Sequence, residues 1–396
     1  MDTTINPTTD DAVEKLAAQK PTVVIFNGRL LRPSETFVKA QAEGLKTFTP
    51  FFAGARRVEG LALPSERTFV VNAGGLLGKG AEAVFKQTGW APRLYDQVRS
   101  HTPQLIHAHF GVCGTLALPM AKALNIPLVV TYHGFDASMT DEYARKDSMT
   151  TRVYLRRREP LKQQATRFIA VSNFIKSRLV NQGFPEKNIT VHYIGIDTDK
   201  FQPNPNVART DTVLFVGRLV EKKGCEYLIR AMAQVQQQRP EAELVIIGDG
   251  PLRAELETLA ENTLTRYKFL GLQPSEQVKA WMNKAKVFAL PSVTTADGDT
   301  EGLPMVILEA QAMGLPVVST YHAGIPEAIE PGETGFLTQE RQWSELTEPI
   351  LKLLSDHSQW ERMGTNAQAN VRNNFNLTTQ VALLEEIYQH VIAEKS

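Results

Sequence analysis

The sequence predicts two doubly wound α/β domains, and three observations support this interpretation. The chain has 396 residues, a length that suits two domains of ordinary size better than one. Short apolar runs rich in β-branched residues alternate with helical patterns, as in parallel sheets covered on both faces. This alternation occurs twice, and a polar stretch with two prolines, residues 196–211, separates the two series as an interdomain linker.

The composition excludes several classes of protein. The 43 basic and 43 acidic residues cancel, which argues against a bulk nucleic-acid binder but not against a local basic patch. Cys113 and Cys225 are too far apart for a zinc motif, and a pair of cysteines does not make a disulfide framework. The polar residues 1–20 read as a flexible leader without the apolar segment of a secretory signal. No run approaches the ~20 apolar residues of a membrane span, so we expect a cytoplasmic protein, at most peripheral on the plasma membrane.

The first domain is placed at residues 21–195. Its strands are predicted at 22–27, 45–52, 68–72, 104–110, 127–133, 166–172 and 189–195. Helices are predicted between them, for example at 80–99, 114–124 and 173–182.

The second domain is placed at residues 212–375, and an amphipathic helix at 376–396 is expected to cross back to the first domain. Its strands are predicted at 212–217, 243–248, 267–271, 286–291 and 316–320. Its helices are predicted at 224–237, 251–262, 275–285, 304–313 and 342–355. Ligands of such sheets bind beyond the carboxyl ends of the strands, so we expect the site in a central cleft that the two domains face.

The segment GRLVEKKG supplies cations at the carboxyl end of a strand. Gly217 ends the buried run, Arg218 follows it, and Lys223 precedes a predicted helix. Arginine binds phosphate oxygens as a fork and lysine binds them as a point charge. The alternative is an ordinary strand–turn–helix with solvated charges.

The segment TEGLPMVILEA is the most informative part of the chain. Pro304 suits a first helical turn, where its missing N–H costs nothing, and the free N–H groups of such a turn bind anions. Glu301 lies just before this helix, and Glu309 lies within it among apolar neighbours. The alternative for Glu309 is a solvent-facing side chain on an amphipathic helix. A third segment, GDGPLR, is a glycine-flanked turn, but Arg253 replaces the last glycine of a dinucleotide fingerprint.

Taken together, GRLVEKKG, GDGPLR, the FLG strand and EGLPMVILEA with GLPVV resemble glycosyltransferase family 4, whose members are retaining enzymes of the GT-B fold. The resemblance covers roughly residues 20–392 and implies two Rossmann-like domains. It implies that Arg218 and Lys223 bind a diphosphate and that Glu309 accepts hydrogen bonds from ribose hydroxyls. The remaining donor contacts that it implies are Glu301, Gly217, Gly302, Leu303, Pro304 and Met305, with Gly250 and Leu270 near the base.

The resemblance also implies roles for the first domain. His133, in an HG pair after a strand, matches the residue that contacts the donor sugar, and Asp136 is a candidate acceptor contact. His107 and His109 share one face of a strand, and we expect His109 to reach the cleft. Metal binding by this pair is disfavoured, because no third ligand is near in sequence and the family uses no metal.

The loop after the first strand departs from the paired glycines that are common in the family. It reads Asn27–Gly28–Arg29 and then Ser34–Glu35–Thr36–Phe37, a form that resembles the branch of bacterial exopolysaccharide and colanic-acid-type transferases. Ser34 and Thr36 are candidates for the acceptor side, or alternatively helix caps.

Residues 151–167 carry six basic side chains: Arg152, Arg156, Arg157, Arg158, Lys162 and Arg167. One interpretation is a basic amphipathic helix that docks on an anionic membrane. The other is a solvated charged helix.

The resemblance therefore implies a retaining hexosyltransferase that needs no metal or other cofactor. Its donor would be a UDP- or GDP-hexose, and its acceptor a lipid-linked glycan intermediate of surface polysaccharide synthesis. A small soluble acceptor, a nucleotide-sugar 2-epimerase and a non-catalytic nucleotide-sugar binder of the same fold are the alternatives.

Overall fold

The computed structural model describes residues 20–395. The flexible leader predicted for residues 1–20 therefore lies outside the described residues, apart from its last position. None of the helices that these residues form is long and apolar enough to cross a membrane.

The first sheet contains eight strands in the order β2-β3-β1-β5-β6-β7-β8, with β4 beside β3. The strands are β1 (Thr22–Phe26), β2 (Arg29–Leu30), β3 (Thr49–Arg57), β4 (Thr68–Asn72), β5 (Pro103–His109), β6 (Leu128–Tyr132), β7 (Arg167–Ala170) and β8 (Ile189–Val191). The β1–β3, β1–β5, β3–β4 and β7–β8 pairs are all parallel. Each strand predicted in this part of the chain is present, and the two-residue β2 is additional because it is too short to leave a pattern.

The helices of this half are Thr36–Glu43, Gly75–Thr88, Pro92–Arg99, Gly111–Leu124, Phe135–Ser138, Asp141–Asp147, Met149–Gln164 and Asn173–Asn181. The single helical pattern predicted at 80–99 is wrong in one respect, because the chain forms two helices there. Gly89 ends the first in the left-handed region at φ 80°, and Pro92 begins the second.

The second sheet contains six parallel strands in the order β11-β10-β9-β12-β13-β14. They are β9 (Thr210–Val216), β10 (Glu243–Ile247), β11 (Tyr267–Phe269), β12 (Ala285–Leu290), β13 (Val317–Thr320) and β14 (Gly335–Thr338). The five predicted strands are all present, and β14 is additional. The strand β9 begins inside the stretch that the sequence assigned to the linker.

The helices of this half are Cys225–Gln238, Arg253–Thr263, Ser275–Lys284, Met305–Ala312, Thr347–Ser355, His357–Asn374 and Leu377–Ala393. The helix His357–Asn374 was missed because its composition is polar. The side chain of Asp356 caps it by accepting the N–H of Gln359 at 2.9 Å, and its buried stripe includes Met363, Ala367 and Val371.

Contacts along the described chain define two compact units. The first comprises residues 20–130, 156–167 and 381–395 and contains β1–β5. Within it, Glu385 Oε1 accepts the backbone N–H groups of Lys46, Thr47 and Phe48.

The second unit comprises residues 131–155 and 168–380 and contains the six-stranded sheet. One apolar core runs through this sheet, with Leu214, Ile246 and Phe288 fully buried. Phe201, inside the predicted linker, packs into the same core, so part of that stretch is integral to the unit.

Candidate functional site

A tight turn after β9 brings two lysines to the carboxyl end of the sheet. The chain passes through the short 3-10 helix Glu221–Lys223 and enters the helix Cys225–Gln238 at Gly224. Gly224 has φ 66°, and a Cβ there would lie 1.8 Å from the carbonyl oxygen of Pro291. Only glycine fits this approach, which holds the turn against the end of β12.

The lysines of this turn are paired with acids of a single loop. Lys222 Nζ lies 2.8 Å from Asp299 Oδ1, and Lys223 Nζ lies 2.8 Å from Glu301 Oε1. Burial raises the pKa of Glu301, but Lys223 and Lys222 outweigh it and hold that pKa below its ordinary value. Glu301 is therefore an anion in this structure and neutralises the cation that the sequence assigned to phosphate.

Arg218, the other predicted phosphate ligand, is exposed. Within residues 20–395 no carboxylate forms an ion pair with its guanidinium. Its neighbour Leu219 is buried and donates its N–H to the carbonyl of Asp249 at 3.0 Å. The strand end therefore fixes the backbone and leaves the guanidinium open to an incoming anion.

A buried histidine holds the backbone of Glu301. The N–H of Glu301 donates to His322 Nε2 at 3.1 Å, and His322 Nδ1 lies 2.6 Å from Glu340 Oε1. Glu340 also accepts the N–H of Thr294 at 2.8 Å. For the imidazole to accept at Nε2 and donate to a carboxylate, it must be neutral with its proton on Nδ1.

Glycines allow the main chain after β6 to approach the loop that contains Glu301 closely. A Cβ at Gly302 would lie 1.9 Å from the carbonyl oxygen of His133, and one at Gly324 would lie 1.9 Å from the carbonyl oxygen of Gly302. Gly134 has φ 151°, which disfavours other residues. The main chain of His133 is thus brought to the start of the segment Gly302–Met305, beside Glu301.

Asp136 has a local structural role. Its Oδ1 accepts the N–H groups of His133 and Gly134, each at 3.0 Å, and the residue is buried. The carboxylate therefore orders the turn that carries His133, a use that the sequence did not reveal.

The helix Met305–Ala312 begins directly beyond this loop. Pro304 occupies its N-cap position, and Ile307 donates its N–H to the Pro304 carbonyl at 3.0 Å. Leu303 and Pro304 are buried and Met305 is half-buried. The N–H groups of the first turn lack intrahelical acceptors, so this end of the helix is suited to an anion.

Glu309 is a carboxylate without a partner in the described part of the chain. It lies on the helix Met305–Ala312, half-buried, and no hydrogen bond or ion pair to its side chain is formed within residues 20–395. Burial raises its pKa to about 7, an effect that the charge of Lys200 only partly offsets. Burying a carboxylate unsatisfied is costly, and a site that binds hydroxyl donors would compensate that cost.

The GDG turn, residues 248–250, packs against residues 217–219, which follow β9. A Cβ at Gly250 would lie 2.4 Å from the carbonyl oxygen of Leu219, and one at Gly248 would lie 1.9 Å from that of Gly217. Gly248 also donates its N–H to the carbonyl oxygen of Gly271 at 2.9 Å, and Gly271 is the residue that follows Leu270. The structure thus brings the predicted positions Gly217, Gly250 and Leu270 together at one end of the second sheet.

The acceptor-side candidates of the first unit differ in their surroundings. His109 is buried, its ring centroid lies 4.3 Å from that of His107, and burial lowers its pKa to about 3. His107 Nδ1 lies 2.6 Å from the hydroxyl of Tyr388. The two histidines thus share a strand face, and His109 is a neutral imidazole packed in the interior.

Ser34 and Thr36 are exposed, and neither caps a helix. The alternative interpretation of these residues as caps is wrong, because Glu35 occupies the N-cap position of Thr36–Glu43 and no side chain caps that helix. Glu35 is instead buried and accepts from Asn27 Nδ2 at 3.2 Å and from the N–H of Arg32 at 3.0 Å. It closes the loop that contains Ser34.

Sequence reasoning missed four residues of the site: Lys222, Asp299, His322 and Glu340. Lys222 is adjacent to a predicted ligand, and its charge was a usable signal. The other three act through pairings across 77, 21 and 18 positions of sequence, which no local pattern reveals.

The fold is shared with proteins of known structure. Anabaena HepE, crystallised with UDP and glucose, has a TM-score of 0.72 at 22% identity, over 93% of this chain and 100% of that protein. Sucrose-phosphate synthase of Thermosynechococcus elongatus has a TM-score of 0.75 at 20% identity, over 95% and 100%. At such identities the likeness establishes the fold, which is GT-B.

Sequence relatives extend the comparison to function. Amylovoran biosynthesis glycosyltransferase AmsK of Erwinia amylovora is 35% identical over 291 residues, 72% of this chain and 69% of that protein. The putative colanic acid biosynthesis glycosyltransferase WcaL of Escherichia coli K12 is 33% identical over 280 residues, 68% and 66%. A GDP-mannose-dependent alpha-(1-6)-phosphatidylinositol monomannoside mannosyltransferase of Mycolicibacterium smegmatis is 30% identical over 314 residues, 73% and 79%. The chain thus spans about two thirds of the first two relatives.

Two family models match adjoining parts of the chain. Residues 48–200 match Glycosyltransferase Family 4, and residues 197–370 match Glycosyl transferases group 1. With the relatives above, these matches show that the chain belongs to glycosyltransferase family 4 and is a glycosyltransferase of the GT-B fold.

Proposed function

We propose that this glycosyltransferase moves a hexose from a nucleoside diphosphate-sugar to an acceptor hydroxyl with retention of the anomeric configuration. The observation that carries the proposal is the half-buried carboxylate of Glu309, which has no hydrogen-bond or ion-pair partner among residues 20–395. It lies on the helix that begins four residues after Glu301, the partner of Lys223. A ribose has two adjacent hydroxyl groups, and such a carboxylate would accept hydrogen bonds from both. A diphosphate offers the negative charge that Arg218, Lys223 and the start of the helix Met305–Ala312 would bind.

In this proposal the leaving diphosphate is stabilised by the protein's own positive charge. Arg218 supplies a forked guanidinium, Lys223 supplies an ammonium, and the helix start supplies N–H groups. These groups provide the electrostatic stabilisation of the departing oxygens that usually dominates such reactions. For this reason we propose that neither a divalent metal nor another cofactor is required.

The proposed chemistry needs no protein nucleophile. The bond between the sugar's anomeric carbon and the diphosphate oxygen breaks as the acceptor oxygen forms a new bond on the same face. The acceptor proton passes to the departing phosphate oxygen. The main chain of His133, held beside Gly302, is suited to face the anomeric centre, and Glu301 would position hydroxyls of the donor sugar.

For the acceptor we propose a lipid-linked glycan intermediate of surface polysaccharide synthesis. The names of AmsK and WcaL refer to amylovoran and colanic acid biosynthesis, and the mycobacterial relative is named for a phosphatidylinositol mannoside. Ser34 and Thr36 are exposed and remain candidates for the acceptor side, whereas His109 is buried in this structure. We propose a peripheral position on the cytoplasmic face of the membrane. The donor panel below distinguishes a uridine donor from a guanosine donor.

The test is a donor panel with the purified full-length protein in the presence of EDTA. Binding heat and nucleotide release are followed with UDP-glucose, UDP-galactose, UDP-N-acetylglucosamine and GDP-mannose. We expect one donor to bind and to be slowly hydrolysed, and both properties to fall at least about a hundredfold in Lys223→Ala. Lys279→Ala serves as the control and should behave like the wild type, because Lys279 is a half-buried lysine whose ion-pair partner among residues 20–395 is Glu276.

Each contrary outcome has a definite meaning. Near-normal turnover of Lys223→Ala would contradict the phosphate role of that residue. Binding without any transfer or hydrolysis would favour a non-catalytic binder, and inversion at carbon 2 of the donor sugar would favour an epimerase. Dependence of turnover on an added divalent metal would contradict the metal-free mechanism.

A further inference from the structure

The first unit exposes a group of large apolar side chains. Leu76, Leu77, Val84 and Trp90 lie within fifteen positions of one another and are 85%, 91%, 44% and 67% exposed. The helix Gly75–Thr88 buries only Glu82 and Phe85, so most of its surface faces away from the core. Single exposed leucines are ordinary in proteins, whereas a contiguous group marks a binding surface.

Three of these side chains form one continuous feature. Leu77, Val84 and Trp90 line a groove of about 400 Å³ together with Arg93 and apolar residues of β4 and of the helix Pro92–Arg99. The groove is thus a concave apolar site with a basic residue at its edge. We call Leu76, Leu77, Val84 and Trp90, with this groove, the apolar surface.

Positive charge adjoins the apolar surface. A second cavity of about 600 Å³ is lined by Arg56, Arg57 and Lys79, and its wall shares Val70, Ala73 and Gly74 with the groove. The chain from 70 to 99 contains four basic residues and two acids. Both acids are already paired, Glu82 with Lys86 and with Arg56, and Asp96 with Arg99, which leaves Arg57, Lys79 and Arg93 without an acidic partner among residues 20–395. The free charge beside the apolar surface is therefore positive.

Two further arginines lie at the other end of the helix Gly75–Thr88. We call Arg57, Lys79, Arg93, Arg156 and Arg157 the basic rim. Arg156 Nη2 and Arg157 Nη2 donate to the carbonyl oxygen of Gln87 at 3.2 and 2.6 Å. Arg156 remains exposed, whereas Lys162 is buried against Glu159. Two arginines of the basic segment 151–167 therefore lie beside the helix that carries the apolar surface, whereas Lys162 is buried and not available to a ligand.

We propose that the apolar surface and its basic rim dock this glycosyltransferase on an anionic lipid bilayer. Leu76, Leu77 and Trp90 would enter the interfacial layer, where tryptophan is especially favourable, while Lys79 and Arg93 contact lipid phosphates. A second copy of the chain is a poor occupant, since a symmetric contact would bring two like-charged rims together. This surface would account for the peripheral membrane position in the proposed function. It rests on the proposed function only in that a lipid-linked acceptor gives the enzyme a reason to bind a membrane.

The test is co-sedimentation of the full-length protein with phosphatidylglycerol-containing vesicles and with pure phosphatidylcholine vesicles. We expect binding to the anionic vesicles that weakens as salt is raised. The double variant Leu76→Ser/Leu77→Ser should lose about tenfold or more of its vesicle affinity, because its apolar area no longer enters the lipid. Lys79→Gln/Arg93→Gln should bind less and show a weaker salt dependence, because two of the cations beside the apolar surface are removed.

A matched control is Leu272→Ser, which changes a leucine that is 78% exposed in the second unit and should bind vesicles like the wild type. Trp90 provides a direct probe, because its emission should shift to shorter wavelength on binding. The shift is measured as the difference between the wild type and Trp90→Phe. Circular dichroism of each variant verifies the fold.

Three results would overturn the proposal: no binding of the wild type to anionic vesicles, unchanged binding of the leucine variant, or a wild-type dimer that the leucine variant abolishes. Hydrolysis of a water-soluble nucleotide-sugar separates this test from that of the proposed function. The leucine variant should hydrolyse the donor at the wild-type rate. A protein that binds vesicles but no donor would keep the docking surface and contradict the donor assignment.

Discussion

Lys223 Nζ lies 2.8 Å from Glu301 Oε1, and both side chains are largely buried. The lysine that is suited to a donor diphosphate is thus held by an acid of the same site. A diphosphate must compete with Glu301 for this ammonium, and Lys222 is similarly held by Asp299. The ion pair neutralises Lys223 before an anion arrives, so the binding of a diphosphate to this lysine requires the exchange of one anion for another.

Because Glu301 and a diphosphate compete for Lys223, the substitution Glu301→Gln should change nucleotide affinity and turnover in opposite directions. In Glu301→Gln the ammonium of Lys223 is released, so the affinity for a nucleoside diphosphate without sugar should rise about threefold to tenfold. Turnover should instead fall about a hundredfold, because Glu301 no longer positions the sugar. Calorimetry with UDP and GDP and steady-state kinetics measure the two effects. A fall in both would show that Glu301 serves only to hold Lys223 in place.

Glu309 predicts a pH dependence of donor binding. Its pKa is raised to about 7 in the donor-free protein, and hydroxyl donors bind the ionised carboxylate. Donor affinity should therefore increase as the pH rises through 7 and level off above it, with a loss of about tenfold one unit below. In Glu309→Gln the affinity should be lower and nearly constant over this range. A wild-type profile as flat as that of the variant would contradict the assignment.

The same shift has a consequence for folding. An acid whose pKa rises on folding stabilises the protein in its neutral form below the unfolded pKa of 4.5 and loses that contribution as the pH passes about 7. The donor-free wild type should thus lose stability relative to Glu309→Gln between pH 4.5 and 7. Chemical denaturation at several pH values measures this difference, and a gain of stability in this interval would contradict it.

The pair of His322 and Glu340 is expected to position Glu301. His322→Ala removes the acceptor of the Glu301 N–H and should lower the free energy of unfolding by about 1–3 kcal/mol and turnover with it. Glu340→Gln keeps an oxygen that accepts from Nδ1 and should retain more activity than Glu340→Ala. Equal loss in both Glu340 variants would indicate that the charge, and not the hydrogen bond, is what matters.

Gly302 tests the backbone contact with His133. A Cβ at this position would lie 1.9 Å from the His133 carbonyl oxygen, so Gly302→Ala must displace one of the two segments. We expect donor binding to be lost and the free energy of unfolding to fall by at least about 2 kcal/mol. Gly80→Ala is the control, because no atom lies within 4 Å of a Cβ there and the residue is helical. That change should stabilise the protein by about 0.5–1 kcal/mol. Normal binding by Gly302→Ala would show that the contact is not needed.

Local patterns were sufficient for much of the fold. Alternation of apolar runs with helical periods predicted every strand of the second sheet except β14, and it predicted the helix Met305–Ala312 within one residue at each end. These elements are recognisable because their stabilising interactions, from apolar periodicity to the proline at a helix start, lie within a few residues of one another. The polar helix His357–Asn374 escaped this reasoning because only a narrow stripe of it is buried.

The residue types of the candidate site were also predictable, since cations, a carboxylate and a helix start occurred at telling positions. Tertiary structure alone decided their state. It paired Lys223 with Glu301, left Glu309 without a partner among residues 20–395, and placed His322 between Glu301 and Glu340. It also gathered Leu77, Val84 and Trp90 around one exposed groove. Charge pairing, burial and exposure depend on which distant segments meet in space, and that information is absent from any short stretch of chain.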